Sequence, residues 1–262
     1  MKAWAIIAGA GIGRRMGGAT PKQYLEIGGR PIVCHTLDRF RDTRSIESAI
    51  IVVEPGREQS FRDDILMPFG YPAHWIVTAG GAVRQQSVAN GLALVPTSCD
   101  VVAVHDAVRP FVTAAQIDTA VEMAYGDGAA IIAARLNETV KRVRNGGTIL
   151  ETVDRSELWA ARTPQCFRRE ILIVAMERAM RDGFTGTDEA SIVERLGHTV
   201  RIIEGDPRNI KITTPADIVV AEAILKEWYS QTTPLLCKEG IGEVDQDLPL
   251  PSSPYKGEGC KT

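Results

Sequence analysis

The chain is poor in cysteine, and the five it has, Cys34, Cys99, Cys166, Cys237 and Cys260, are scattered, odd in number and contain no C-x-x-C pair. That spacing gives no support to a zinc knuckle, a redox dithiol or a disulfide framework, so a reducing cytoplasm is the expected compartment. No apolar run approaches the ~20 residues that a membrane span needs, and Trp4-Ala5-Ile6-Ile7 is too short for a signal-peptide core. Charge of one sign is not in excess either: 30 Lys+Arg face 33 Asp+Glu, for a net −3. Neither nucleic acid nor a membrane surface is therefore an expected partner, and any anion binding must be local. Histidine is scarce. None of His35, His74, His105 and His198 carries the paired-carboxylate motif of a general base, and His105 is read as packing or orienting the turn at Asp106.

What the sequence does have is alternation. Short β-branched runs at Ala3 to Ala8, Ser48 to Val53, Trp75 to Thr78, Val101 to His105, Ala129 to Ala134 and Thr199 to Ile203 are separated by segments of helical period. Near-continuous hydrophobicity in those runs suits strands buried on both faces, so the expected fold is α/β, a mainly parallel sheet flanked by helices. Pro31 can open a helix carrying Val33, Leu37 and Phe40. Thr113-x-x-Gln116 is a capping box, and Thr214-Pro215-Ala216-Asp217 precedes a face of Ile218, Ala221, Leu225 and Trp228.

Two stretches break the pattern. Between Thr139 and Val153, two polar-apolar runs flank Asn145-Gly146-Gly147, a strong hairpin signal because Asn and Gly tolerate positive φ. An isolated hairpin is marginal in water, so this one, within an arm of about 137–155, is expected to project and pack on another subunit; the alternative is an edge hairpin on the same sheet. From about Gln231 onward, Pro, Gly, Ser and charge dominate. The expected organisation is a catalytic domain over 1–230 and a disordered tail over 231–262.

Three constellations carry chemistry. The first strand runs into Ala8-Gly9-Ala10-Gly11-Ile12-Gly13-Arg14-Arg15-Met16, then Pro21-Lys22-Gln23-Tyr24. Glycines there let backbone N–H groups form an anion nest. Arg14 stands where a dinucleotide fingerprint needs its third glycine, and no Gly-Lys-Ser/Thr closes a Walker loop, so three nearby cations, Arg14, Arg15 and Lys22, suit a triphosphate better. The second is Gly80-Gly81-Ala82-Val83-Arg84-Gln85-Gln86-Ser87-Val88, where Ser87 and the glycine backbone can bond a base edge or simply form a loop and a first helical turn. The third, Val104-His105-Asp106-Ala107-Val108-Arg109-Pro110, ends a strong central strand; its carboxylate, supported by Arg109, can hold sugar hydroxyls or a metal-bound triphosphate, or the two can be a structural ion pair.

With Thr152-Val153-Asp154-Arg155, Thr163-Pro164-Gln165, Thr187-Asp188-Glu189-Ala190 and Asn209-Ile210-Lys211 in order after these, the chain from about Lys2 to Lys226 resembles the 2-C-methyl-D-erythritol 4-phosphate cytidylyltransferases, CTP-using enzymes of the non-mevalonate isoprenoid pathway. The resemblance implies a Rossmann-like nucleotidyltransferase fold, Mg²⁺, and a homodimer in which the arm completes the partner's site. It implies Gly11, Gly13, Arg15 and Lys22 at the CTP phosphates, Ala10 elsewhere at the nucleotide, Gly81 and Ser87 at cytosine, and Asp106 at the ribose and acceptor hydroxyls. Arg109, Thr139, Arg155, Thr163, Thr187 and Lys211 would belong to the acceptor side, with Arg155 and Thr163 reaching across the dimer. Ala8-Gly9, Ala82, Val108 and Glu138 depart from the residues common in the family.

A phosphate nucleophile, doubly charged near neutral pH with a second pKa of ~6, needs no general base. It needs its repulsion from the α-phosphate relieved, and Arg15, Lys22, Lys211 and Mg²⁺ can supply that. Mg²⁺ is expected to ride mainly on the triphosphate, without a protein cage. The expected reaction joins CMP from CTP to 2-C-methyl-D-erythritol 4-phosphate. The alternatives are another polyol phosphate such as ribitol 5-phosphate, or a non-catalytic nucleotide-binding homologue.

Overall fold

The computed structural model of the chain describes residues 1–11 and 20–232. Eleven strands occur among them: β1 (Ala3–Ala8), β2 (Glu26–Ile27), β3 (Arg30–Pro31), β4 (Ile46–Val53), β5 (Ile76–Ala79), β6 (Val101–Asp106), β7 (Ala129–Arg135), β8 (Val140–Val143), β9 (Ile149–Val153), β10 (Trp159–Arg168) and β11 (Arg201–Glu204). The α-helices are α1 (Ile32–Arg41), α2 (Glu58–Phe61), α3 (Arg84–Leu92), α4 (Ala114–Asp127), α5 (Arg169–Arg181), α6 (Glu189–Glu194) and α7 (Pro215–Thr232).

Seven strands form one sheet in the order β11-β7-β10-β6-β1-β4-β5. All neighbours are parallel except β10, which runs antiparallel to both β6 and β7. The alternation of the strands sorts the two faces. Ala5 and Ile7 of β1, with Ile51 and Val53 of β4, pack under α1 and α4. Ile6, Ile50 and Val52 pack on the other face under α3, while Phe167 of β10 meets α5 there. A third cluster seats α7, through Ala221, Ile224 and Leu225, on Ile27, Ile32, Val108 and Phe111. β1 lies between β6 and β4, so the chain leaves it in opposite directions, and a crevice opens beyond the carboxyl ends of β1 and β6.

Each of the six expected strands is present, and the Thr113–Gln116 capping box forms as read, with both reciprocal hydrogen bonds. The antiparallel β10 was not expected. Its sequence, Trp-Ala-Ala-Arg-Thr-Pro-Gln-Cys-Phe-Arg, carries an interior proline that argues against a central strand. The structure accommodates Pro164 where the register with β7 shifts, between Ala161 and Gln165, so the missing N–H falls at an irregularity. α5 and α6 were also not expected.

The hairpin of β8 and β9 forms a two-stranded sheet of its own, separate from the main sheet, rather than an edge of it. Its turn differs in detail from the expectation. Positive φ falls on Gly146 and Gly147, at 95° and 84°, while Asn145 stays at negative φ. Two consecutive glycines remove the need to place a side chain in the left-handed region. The last helix continues through Thr232, two residues beyond the expected domain boundary. Residues 233–262, the rest of the expected tail, lie outside the described residues, as do Gly13, Arg14 and Arg15.

Candidate active site

The crevice is walled by the end of β1 and its loop on one side, the Gly80–Ser87 loop opening α3 on another, and the turn after β6 at its base. Close packing shapes the first two walls. Gly80 donates its N–H to the Val53 carbonyl at 2.7 Å, which draws this loop onto the end of β4. A Cβ on Gly80 would stand 2.3 Å from the Ala10 Cβ, so only glycine lets the loops meet. At Gly11 nothing among the described residues lies within 4 Å of the corresponding point, and this backbone borders the cleft. Gln23, nearly fully buried, ties the chain back by donating to the Gly9 carbonyl at 2.7 Å.

Ser87 is buried and its hydroxyl is committed to the loop. It accepts from the Gly81 N–H at 3.0 Å and donates to the Val83 carbonyl at 3.1 Å. Whatever this wall recognises is thus met by loop backbone that Ser87 braces.

Asp106, at the end of β6, is only 5% exposed, yet three cations converge on it. Arg84 Nε lies 3.3 Å from Oδ1, while Arg109 Nε and Lys211 Nζ lie 3.2 Å and 2.8 Å from Oδ2. Burial alone would favour the neutral acid. Lys211, Arg84 and Arg109 outweigh it and hold the carboxyl well below the usual carboxylate range. Arg84 is fixed in turn: its Nη1 sits between both oxygens of Glu189, at 2.6 Å and 2.8 Å. Burial disfavours the charged guanidinium, but Glu189 and Asp106 more than compensate and keep it charged.

Beneath Asp106 runs a chain of buried hydrogen bonds. Burial pushes the His105 imidazole down to about 3, so it is neutral at physiological pH. Its Nε2 faces the Arg109 carbonyl at 3.1 Å and can only donate there, which makes Nδ1 the acceptor. The Thr163 hydroxyl, 3.0 Å away, therefore donates to Nδ1 and accepts the Asp106 N–H at 3.2 Å. Asn209 closes the ring by donating to the Thr163 carbonyl at 3.0 Å and accepting Arg109 Nη1 on its own carbonyl at 3.1 Å. His105 thus orients the turn, as the sequence suggested.

Lys22 and Lys211, far apart in sequence, both border this cleft. Lys22 Nζ donates to the carbonyl of Ile212 at 3.1 Å, next to Lys211. The Ile212 N–H bonds the Val108 carbonyl at 3.0 Å and pins that segment to the Asp106 turn.

Of the residues singled out beforehand, Ala10, Gly11, Lys22, Gly81, Ser87, Asp106 and Lys211 all border the cleft, with Arg109 just behind Asp106. Thr163 is a correction. Rather than reaching toward another subunit, its side chain is buried and both hydroxyl roles are used within this chain. Thr139 and Arg155 are exposed at the base of the arm, where Arg155 donates to the Asn137 carbonyl. Thr187 is exposed one residue before the α6 cap Asp188. Arg84, Glu189 and Gln23 were missed as site residues, and Gly80, expected to offer its backbone to a base edge, gives its N–H to Val53 instead. Each stood inside a quoted motif, but Arg84 and Glu189 are 105 residues apart and nothing local marks them as a pair.

Among the described residues no cluster of three His, Cys, Asp or Glu could hold a metal ion. Asp106, the carboxylate bordering this cleft, is surrounded by cations, which suits it poorly to ligate one more. No helix among these residues is long and apolar enough to cross a membrane.

The family model of 2-C-methyl-D-erythritol 4-phosphate cytidylyltransferase matches residues 3–227. The chain belongs to that family. Members similar to it include the proteins of this name from Syntrophus aciditrophicus, 43% identical over 226 residues covering 86% of this chain and 97% of that one, and from Geobacillus kaustophilus, 43% identical over 221 residues covering 84% and 96%. Among solved structures, the 2-C-methyl-D-erythritol 4-phosphate cytidylyltransferase of Thermus thermophilus superposes with a TM-score of 0.71 at 32% identity, covering 86% of this chain and all of that one (100%). The 4-diphosphocytidyl-2C-methyl-D-erythritol synthase of Anaerococcus prevotii gives 0.76 at 28%, covering 86% and 96%. Members of the family are nucleotidyltransferases, and their mostly parallel, helix-flanked sheet is the fold of this chain.

Proposed function

We propose that the chain transfers CMP from CTP to 2-C-methyl-D-erythritol 4-phosphate, giving 4-diphosphocytidyl-2-C-methyl-D-erythritol and pyrophosphate. The observation that carries the reading is that Lys22 and Lys211 border one cleft beside a glycine-rich strand end, with Asp106 ionised between cations at its base.

An oxygen of the acceptor's phosphate attacks the α-phosphorus of CTP; a P–O bond forms, the bond to the β-phosphate breaks, and the electron pair leaves on pyrophosphate. The nucleophile is already an anion, so no residue has to remove a proton. Lys22 and Arg15 would hold the triphosphate against the backbone of Ala10, Gly11 and Gly13, and Lys211 would reach from Asp106 to the reacting phosphates. Gly81 and the loop braced by Ser87 would border cytosine. Asp106 would accept from the ribose and acceptor hydroxyls, with Arg109 and Thr163 keeping it in place. Mg²⁺, carried by the triphosphate, would neutralise charge that develops on the leaving group.

In the same reading the arm packs on a second copy. Val143, Ile149 and Leu150 are 57%, 58% and 46% exposed on a hairpin that joins no other sheet, which supports such a partner. Thr139 and Arg155, at the arm's base, would then face the partner's acceptor site, and Thr187 would meet the acceptor at the rim. Catalysis would reside within 1–230, with 231–262 dispensable. The free, buried thiols of Cys34, Cys99 and Cys166 accord with a reducing cytoplasm.

Purified protein incubated with CTP, Mg²⁺ and either methylerythritol phosphate or ribitol 5-phosphate tests the assignment. Pyrophosphate should appear with the former; release with ribitol 5-phosphate alone would overturn the choice of acceptor, and nucleotide binding without turnover would overturn the activity.

A further inference from the structure

Asp106 is gripped asymmetrically. Its Oδ2 receives Arg109 and Lys211, whereas Oδ1 receives Arg84 at 3.3 Å. Arg84 also borders the cleft, with 31% of its side chain exposed. A cation so placed could turn toward a triphosphate and abandon Asp106. Glu189 stands against that movement. It is 1% exposed, and both its oxygens lie on Arg84 Nη1. Glu189 is itself held rigidly, at the first position of α6. That helix start is anchored to β10 by Gln165, which accepts the Ala190 N–H at 3.0 Å and donates to Asp188 at 2.7 Å.

We propose that Glu189 is a positioning residue for the transfer: it neutralises and immobilises Arg84, so that Arg84 orients the Asp106 carboxylate instead of joining the phosphate-binding cations. The proposal deepens the transferase reading and rests on it. The Glu189–Arg84–Asp106 relay leaves Lys211, on Oδ2 with 36% of its side chain exposed, as the partner of Asp106 best able to turn to substrate; Arg109 is 12% exposed and tied to the Asn209 carbonyl.

A double-mutant cycle tests it on the full chain. Glu189→Gln keeps the volume and one acceptor but removes the charge, and should lower kcat about tenfold or more through misplacement of Asp106. KM for CTP should stay level or fall, because an uncompensated Arg84 adds attraction for the triphosphate. Arg84→Gln should cost a similar factor, and the double variant should be no worse than the poorer single one, since Glu189 acts through Arg84. Multiplying losses, or Glu189→Gln with wild-type kcat and only a lowered melting temperature, would overturn the relay.

A second readout does not depend on turnover. The Arg84 Nε–H signal in the NMR spectrum, assigned by its disappearance in Arg84→Gln, should be sharp and slow to exchange in the wild type and broadened in Glu189→Gln. An unchanged signal would sink the proposal by itself. Absence of wild-type turnover would instead count against the transferase reading and leave this measurement standing.

Discussion

At the scale of single residues, the site is governed by charges that burial should have removed and that their neighbours restore. Asp106 stays ionised because Lys211, Arg84 and Arg109 surround it. Lys22 contributes differently, as a cation at the glycine-rich wall with its ammonium on a backbone carbonyl. Replacing Lys22 with alanine should slow pyrophosphate release by about a hundredfold, the usual cost of losing one electrostatic contact to a developing charge of ~3 kcal/mol. Steady-state assays would show it, and unchanged turnover would remove Lys22 from the reaction.

His105 makes a pH prediction. Its folded pKa is pushed to about 3 by burial, against an ordinary value near 6.5, so between these pH values the unfolded chain binds the extra proton. Stability contributed by this depressed group is complete above pH 6.5 and declines as pH falls toward 3, by at most about 1.4 kcal/mol per pH unit. Burial also lowers His35, which adds to the same slope. Denaturant titrations from pH 7 to 4.5 should therefore show falling stability, with a shallower slope in His105→Gln. A flat profile in the wild type would contradict the buried neutral imidazole.

At the scale of elements, β10 is the strand on which the site depends most. Thr163 braces Asp106 and His105 from one of its positions, and two residues later Gln165 fastens the start of α6, which carries Glu189. Gln165→Ala would leave the Ala190 N–H and an Asp188 oxygen without this partner in the interior, a loss of about 1–3 kcal/mol measurable by urea unfolding, and should lower kcat through the Glu189 relay. Loss of stability without any loss of kcat would show that α6 keeps its place unaided. In the proposed dimer the arm would be the other element with a separable role. Removing residues 140–152 should yield monomers by light scattering while the main sheet keeps its circular dichroism; a persisting dimer would place the interface elsewhere.

At the scale of the whole molecule, two helical layers on a seven-stranded sheet bring residues from β1, β6, α3 and the segment before α7 to one crevice, while Thr163 of β10 and Glu189 of α6 hold Asp106 and Arg84 from behind. The family match ends at residue 227, and relatives align over nearly their full length without the remaining segment. A chain ending at Thr232 should therefore retain full activity in the pyrophosphate assay, and a large loss would show that residues 233–262 contribute.

The sequence by itself determined the parallel strands, the helices with a clear period or cap, the arm and the cleft-lining motifs. Those features follow from short-range rules: side-chain period, capping spacing and the freedom of glycine. Only the tertiary structure decided that Pro164 sits within a central antiparallel strand, that Thr163 turns inward, and that Glu189 answers Arg84. The physical reason is that burial and hydrogen-bond partnership are set by which distant segments share a low-dielectric space, and the spacing of residues along the chain carries no measure of that.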